Sequence, residues 1–413
     1  LATLFGTSDF LSQFLIGHPE LLDTLLRSDT MTPVKSKDEL RVGLMSVLDA
    51  AEGYEEVLDA IRRFRNIELI RIGINDIAEE IGLMEVCGQM TSLAELSIDV
   101  ALRMSEKEVM SRYGAPFLSD GSEAAISVIG MGKLGGGEMN YSSDLDLIFI
   151  YSGAGETKGP KVISNQEYFA KVAQRVISFL TLQTREGYLY KVDTRLRPSG
   201  SAGALVSSLD SFRRYHEESA RLWERQALIK ARVVSGNEDL GGKVMGDVAS
   251  IVYGRGVDEE GRKEMMRLRE RMEKELAKER AEIYNVKTGR GGIVDIEFTV
   301  QFLQLKYGKG PAGLKRAKTL DALQSLLEAG LIPSEDGLAL KDAYIFLMKA
   351  ENRLRVLHNI STDQMELEAA KLAKLAKRLG YHGDEPGRQF LRDYHGHTEK
   401  VREIYNRIVV RDH

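Results

Sequence analysis

The chain has a single cysteine, Cys87, in 413 residues. That excludes an internal disulfide and a cysteine-rich zinc site, and it points to a reducing, cytoplasmic compartment. No apolar run approaches the roughly 18 to 20 residues that a membrane-spanning helix needs, so the chain reads as neither spanning nor secreted. Prolines number only eight, which leaves long helical stretches uninterrupted. An excess of positive charge is missing too, since 57 Lys and Arg face 62 Asp and Glu for a net charge of −5. Nucleic-acid binding takes a concentrated positive field, so no dedicated nucleic-acid surface is expected; a local basic pocket is compatible with that balance. The first residue is Leu1 rather than Met and no signal peptide precedes it, which reads as a piece excised from a longer polypeptide.

What is present looks globular and helix-rich, with 43% hydrophobic and 29% charged residues. A chain of this length exceeds one ordinary core, so two or three domains are expected. The pattern predicts an α+β, predominantly α organisation in three parts. Residues 1–115 carry helical periodicity, with Leu21, Leu22, Leu25 and Leu26 in one segment and Leu58, Ile61, Phe64 and Ile67 in the next. Residues 116–235 switch to strands around a helix from Asn165 to about Gln183. Residues 236–413 return to amphipathic helix, in EEGRKEMMRLRERMEKELAKERAE and in KDAYIFLMKAENRLRVLHNI.

Chemistry-bearing residues gather between Ile129 and Tyr151, IGMGKLGGGEMNYSSDLDLIFIY. Ala124–Met131 reads as a buried strand and Leu145–Tyr151 as a second. Alternation along that second strand puts Asp144 and Asp146 on one side at its entry, about 6 to 7 Å apart, a spacing that lets two carboxylates share divalent cations. Gly135, Gly136 and Gly137 between the strands allow close approach to a ligand and can turn N–H groups toward an anion, with Lys133 adding a mobile positive charge. An isolated Asp-x-Asp also ends strands in solvated turns, so the pair alone does not establish a metal site. The glycines match neither a dinucleotide fingerprint nor a Walker loop.

A second charged segment, Tyr188–Pro198 (YLYKVDTRLRP), reads as a strand with Lys191, Asp193, Arg195 and Arg197 on one face. A solvated edge strand would carry such charges. Beside Asp144 and Asp146, however, Asp193 completes a possible three-acid metal site, and Arg195 and Arg197 become partners for phosphate oxygens. Oxygen-only ligands suit magnesium, and arginine forks pair bidentately with phosphate. Together these features predict phosphoryl or nucleotidyl transfer.

Three ordered motifs, Gly130–Gly136 with SDLDLIF from Ser143, VDTRLRPSGSAG from Val192, and WERQALIKARVVSG from Trp223, resemble the glutamine synthetase adenylyltransferase family. The resemblance implies a small nucleotidyltransferase sheet of the DNA polymerase beta type, flanked by N-terminal and C-terminal helical regions. It implies ATP over Gly135 and Gly136, two Mg2+ ions on Asp144, Asp146 and Asp193, and nucleotide contacts from Lys133, Ser143, Arg195, Arg197 and Lys230, with Arg232 a further candidate. Glu224 competes with Asp193 as the third ligand, or caps a helix beside Trp223. The acceptor implied is a tyrosine of glutamine synthetase, with a PII-type signal protein and glutamine as effectors.

Members of that family have an adenylyl-removing half and an adenylyl-attaching half. The opening LFGTSDFLSQFLIGHPELLDTLL and the segment DTRLRPSGSAGALVSS look like the attaching half, whereas Asn140 and Ser142 are nearer the removing half's pattern. The alternatives are phosphorolytic removal of AMP and, from other classes, a metal-dependent nucleotide-sugar glycosyltransferase or an inactive regulatory module. Further along, KTGRGGIVDIEF predicts a glycine turn opening a helix, with Asp295 and Glu297 as first-turn capping acids. His395 and His397 lie two apart on a helical tail, a spacing that splays them too far for a shared zinc.

Overall fold

A computed structural model describes residues 16, 32–310, 312–358 and 362–411. The leucines at 21, 22, 25 and 26, and the opening motif apart from residue 16, lie outside the described residues. Two compact units are present, one built from residues 32–72 and 84–252 and the other containing residues 73–83 and those from 253 onward. Helix accounts for 62% of the structure, beside a small mixed sheet, as the α+β, predominantly α expectation has it.

The first unit begins with α1 (Lys37–Asp49), α2 (Gly53–Ile77) and α3 (Leu83–Tyr113), the last two shared with the second unit at their adjoining ends. Ser36 starts α1 through a capping box: its hydroxyl accepts from the Glu39 N–H at 3.2 Å and the Glu39 carboxylate accepts from the Ser36 N–H at 2.7 Å. Within α2, Leu58 and Ile61 are core residues at helical spacing. Arg62 beside them is fully buried because it satisfies four carbonyls, those of Leu58, Phe179, Leu182 and Gly187, at 2.7–2.9 Å.

The strands follow as β1 (Ala115–Leu118), β2 (Ile126–Gly130), β3 (Leu145–Tyr151) and β4 (Gly155–Lys158), with the short helix α4 (Gly132–Gly136) between β2 and β3. Next come α5 (Asn165–Thr181), β5 (Val192–Asp193), β6 (Val206–Ser208), α6 (Leu209–Glu218), α7 (Leu222–Ala227), β7 (Arg232–Gly236) and α8 (Glu238–Tyr253). The five-stranded sheet runs β5-β3-β2-β7, with β6 also on β3. β2 pairs antiparallel with β3 and β7, while β5 and β6 pair parallel with successive stretches of β3's other edge. β1 and β4 form a separate antiparallel pair. Burial explains the largely apolar sequences of β2 and β3: α5 covers the sheet through contacts such as Phe169 stacked on Tyr151, centroids 5.4 Å apart.

The expected strand Tyr188–Pro198 is reduced to Val192–Asp193. Upstream, the N–H groups of Leu189 and Tyr190 are drawn to the Leu180 carbonyl at the end of α5. Downstream the chain turns, with Arg197 N–H donating to Thr194 O at 3.2 Å and Gly200 N–H to Arg197 O at 2.8 Å. Pro198 has no N–H with which to continue a ladder.

In the second unit, α9 (Glu259–Glu275), α10 (Ile293–Tyr307), α11 (Thr319–Glu328), α12 (Ser334–His358), α13 (Ala369–Arg378) and α14 (Pro386–Tyr405) accompany a two-stranded pair, β8 (Ile283–Asn285) and β9 (Gln364–Glu366). The predicted glycine turn does open α10, with Gly292 as its N-cap. Fully buried Asp295 accepts from the Gly291 N–H at 2.7 Å and is ion-paired with Arg269 and Arg402. His395 and His397 pack as rings, the first against Tyr284 and the second against Phe346. Among the described residues no helix is long and apolar enough to cross a membrane.

Candidate active site

The end of the sheet where β2 finishes and β3 begins gathers the three aspartates. Asp144 is exposed just before β3, and Asp146 is half-buried as its second residue. Across the parallel pairing, Asp146 is in register with Asp193, the last residue of β5. Hydrogen bonds lock this end: Met131 N–H donates to Asp146 O and Leu145 N–H to Lys191 O, both at 2.9 Å. Gly132 presses on Asp146 so closely that a Cβ there would lie 2.5 Å from Asp146 Oδ2.

Arg195 grips the Asp193 carboxylate, Nε lying 3.0 and 2.8 Å from its two oxygens and Nη2 2.5 Å from one of them. That hydrogen bonding holds the Asp193 carboxyl below its ordinary range. The same pairing, with the fields of Asp146 and Asp144 behind it, raises the pKa of the guanidinium. The Arg195 side chain is 76% exposed. Arg197 is placed differently, turned back onto carbonyls of its own loop.

Lys133, Gly135 and Gly136 belong to α4, a five-residue helix. The Gly135 amide donates to Met131 O at 2.9 Å, so it is used within that turn. Glycine is required there because a Cβ would fall 1.7 Å from the Lys230 carbonyl oxygen. Ser143 Oγ donates to Asn140 Oδ1 at 2.5 Å and accepts from the Asn140 N–H at 3.1 Å, closing a turn in which Ser142 is left-handed, φ 55°. Lys230 is buried, with Nζ 2.7 Å from Glu138 Oε2. Arg232 donates to the carbonyls of Gly135 and Leu134 at the end of α4 and pairs with Glu95 at 2.5 Å. Glu224 is in α7, where it accepts from the Arg221 N–H at 2.9 Å and from the Tyr215 hydroxyl at 2.6 Å.

Glu95, Glu138, Gly132 and Tyr215 were not singled out by sequence reasoning. Gly132 alone had a local signal, its place in the glycine-rich turn. Glu138 meets Lys230 across 92 residues of chain, which no motif spacing encodes.

Among the described residues, no three His, Cys, Asp or Glu side chains are gathered tightly enough to cage a metal. The donor types nevertheless suit a hard divalent cation, since Asp146 and Asp193 are in register on adjacent strands and Arg195 lies in the field of Asp146 and Asp144. Elsewhere, in the second unit, a cavity of about 320 Å³ is lined by Asp76, Glu79, Lys349, Asn352, Arg353 and Arg378 among others. The buried Asn352 amide has no hydrogen-bond partner there, and Asp76 in that lining is paired with Arg353 at 2.6 Å.

Comparison with known proteins places the chain in a family. Residues 1–246 match the family described as glutamate-ammonia ligase adenylyltransferase, and residues 261–409 match the one described as GlnD PII-uridylyltransferase. A bifunctional glutamine synthetase adenylyltransferase/adenylyl-removing enzyme from Thioalkalivibrio sulfidiphilus is 35% identical over 410 residues, 99% of this chain and 42% of the relative. Relatives of the same description from Hahella chejuensis and Stenotrophomonas maltophilia are 33% and 36% identical, each over 92% of this chain and over 39% and 40% of themselves. The chain therefore spans about two fifths of the length of these relatives. With the first family match covering more than half of its residues, the chain belongs to the glutamate-ammonia ligase adenylyltransferase family.

Proposed function

We propose that the chain is a nucleotidyltransferase that moves AMP from ATP to a tyrosine hydroxyl of glutamine synthetase and releases pyrophosphate. The observation that carries this is the register of Asp146 with Asp193 on parallel strands, with Asp144 at the entry of the same strand and exposed Arg195 in their shared field. Asp144, Asp146 and Asp193 would hold Mg2+, two ions by family resemblance, which when bound lowers the pKa of the attacking hydroxyl and offsets charge on the departing pyrophosphate. Arg195 exchanges the Asp193 carboxylate for a phosphate, another anion whose two oxygens accept the guanidinium fork, and Lys133 adds a point charge from α4. As the tyrosine oxygen bonds to the α-phosphorus, its proton passes to solvent water, and the bond from the α-phosphorus to the oxygen bridging to the β-phosphate breaks to release pyrophosphate.

A second activity, removal of AMP by phosphorolysis, is favoured by one detail. The Asn140–Ser143 turn has the Asn-x-Ser-Ser pattern that resembles the removing half, and both of its ends are engaged in closing it. We extend the proposal to a cytoplasmic setting, to effectors of the PII and glutamine type, and to residues 116–235 as the catalytic domain between helical regions 1–115 and 236–413.

The test is transfer of labelled AMP from ATP to purified glutamine synthetase, with and without magnesium. Asp144→Asn and Asp146→Asn should each abolish it, and labelling that survives both changes sinks the proposal. Transfer of sugar from a nucleotide sugar would instead favour a glycosyltransferase. Release of AMP from adenylylated glutamine synthetase on adding phosphate measures the removing direction.

A further inference from the structure

The two arginines after Asp193 are not equivalent. Arg197 spends its guanidinium on its own loop: Nη1 reaches Thr194 O at 2.8 Å and Thr194 Oγ1 at 2.9 Å, Nε reaches Ala204 O at 3.1 Å, and Nη2 reaches Gly203 O at 3.2 Å and Ser201 O at 3.3 Å. Those acceptors lie at both ends of the segment joining β5 to β6, so the side chain works as a clasp. Gly203 marks how tightly the segment folds, since a Cβ there would be 2.1 Å from Pro198 O.

An outside anchor holds the same segment. Ser199, left-handed at φ 61°, lies close enough to the Tyr215 hydroxyl for its backbone and side chain to favour the ionised phenol. That hydroxyl in turn donates to Glu224 Oε1 at 2.6 Å, and the other carboxylate oxygen of Glu224 is held by the Arg221 N–H at 2.9 Å. Glu224 is buried, with 8% of its surface exposed, so this acceptor is fixed within α7 and not available as a mobile ligand. β5 and β6 occupy successive stretches of one edge of β3, so the anchored segment sets where Asp193 and Arg195 stand.

We propose that Arg197 and the Tyr215–Glu224 pair are positioning residues that fix the 194–204 segment, leaving Arg195 as the arginine of this segment that engages a nucleotide phosphate. The inference rests on the nucleotidyl-transfer proposal. It assigns opposite consequences to lysine at the two positions. Lysine keeps a charge but cannot span several carbonyls, so Arg195→Lys should leave amide exchange in 194–204 slow while Arg197→Lys should speed it.

The experiment uses the full chain, measuring ATP binding by calorimetry and amide hydrogen exchange in peptides covering 194–204. Tyr215→Phe removes one hydroxyl and no volume of consequence. It should speed exchange in that segment and weaken ATP binding about fivefold to tenfold, the scale of one lost hydrogen bond. The loss should fall on KM for ATP rather than on kcat. Arg197→Lys should reproduce both effects, and a melting temperature near that of the wild type in either variant excludes general unfolding. Faster exchange with unchanged ATP affinity would overturn the proposal, as would an Arg197→Lys chain that binds ATP normally. If the wild type binds no ATP, the nucleotidyl-transfer proposal and the Arg195 assignment fall together, whereas the exchange rates still decide whether the anchor exists.

Discussion

Replacing Lys230 by Met separates a lysine that holds the site together from one that contacts nucleotide. Its Nζ lies 2.7 Å from Glu138 Oε2, with the side chains 8% and 1% exposed. At that distance the gross attraction is about 6 kcal/mol for an effective dielectric near 20, and desolvation of two ions offsets most of it. The intact pair therefore adds little net stability over an apolar pair. Removing only the lysine leaves a buried carboxylate without its cation, a cost of roughly 3–5 kcal/mol. Glu138 has further interactions, which favour the lower end of that range. Lys230→Met/Glu138→Met should then recover at least about 2 kcal/mol relative to the sum of the two single changes. Urea denaturation followed by fluorescence is well suited, because the chain's one tryptophan, Trp223, is in α7, seven positions before Lys230. A Lys230→Met loss below about 1 kcal/mol, or single losses that simply add, would refute the coupling and return Lys230 to the candidate nucleotide contacts.

Gly135→Ala places a methyl 1.7 Å from Lys230 O and 2.5 Å from Gly130 O, both backbone atoms, so the cost should exceed the roughly 1–3 kcal/mol of ordinary overpacking. Gly242→Ala on α8, which meets nothing within 4 Å, should be neutral or stabilising by up to about 1 kcal/mol, and equal urea midpoints for the two would refute the close-approach argument. His216 is buried between Phe212 and Tyr215 with both ring nitrogens unpartnered, and burial lowers its pKa to about 4. Because the unfolded chain binds a proton that the native state refuses, wild-type stability from this group is complete above about pH 6.5 and falls as pH drops toward 4, by on the order of 3 kcal/mol. His216→Phe should lack that component of the slope, while the opposing contribution of Glu106, whose pKa burial raises to about 6, is common to both proteins. Parallel stability curves between pH 7.5 and 4.5 would contradict this assignment.

Elements whose signal is local were legible in the sequence. β3 spans Leu145–Tyr151 because an apolar run of strand length follows a cluster of turn residues. α5 begins at Asn165 because Ser164 caps it, and it ends two residues before the expected Gln183. The charged segment 188–198 misled because alternation is necessary for a strand but not sufficient. Its ends were decided by the carbonyl of Leu180, by the clasp of Arg197 on Gly203 and Ala204 and by pairing with β3, partners that lie outside those eleven residues. Glu224 shows the converse, since its N-terminal capping of α7 from the third helical position is a local pattern that sequence reasoning had left beside metal ligation.

The shortness of β5 has a chemical consequence. A strand continued to Arg197 would have set two arginines beside Asp193 on one face, as cations competing with any metal for the same carboxylates. Ending the ladder at Asp193 instead turns Arg197 back into the segment and leaves the exposed Arg195 beside the acids. Three carboxylates then outnumber Arg195 and Lys133, so the site keeps negative charge and disfavours a free polyphosphate. Under the proposed function a triphosphate accompanied by divalent cations would meet no such barrier, because the cations would neutralise both partners and leave Arg195 to exchange Asp193 for the phosphate. On this reasoning joint binding of nucleotide and metal should separate the Asp193–Arg195 pair.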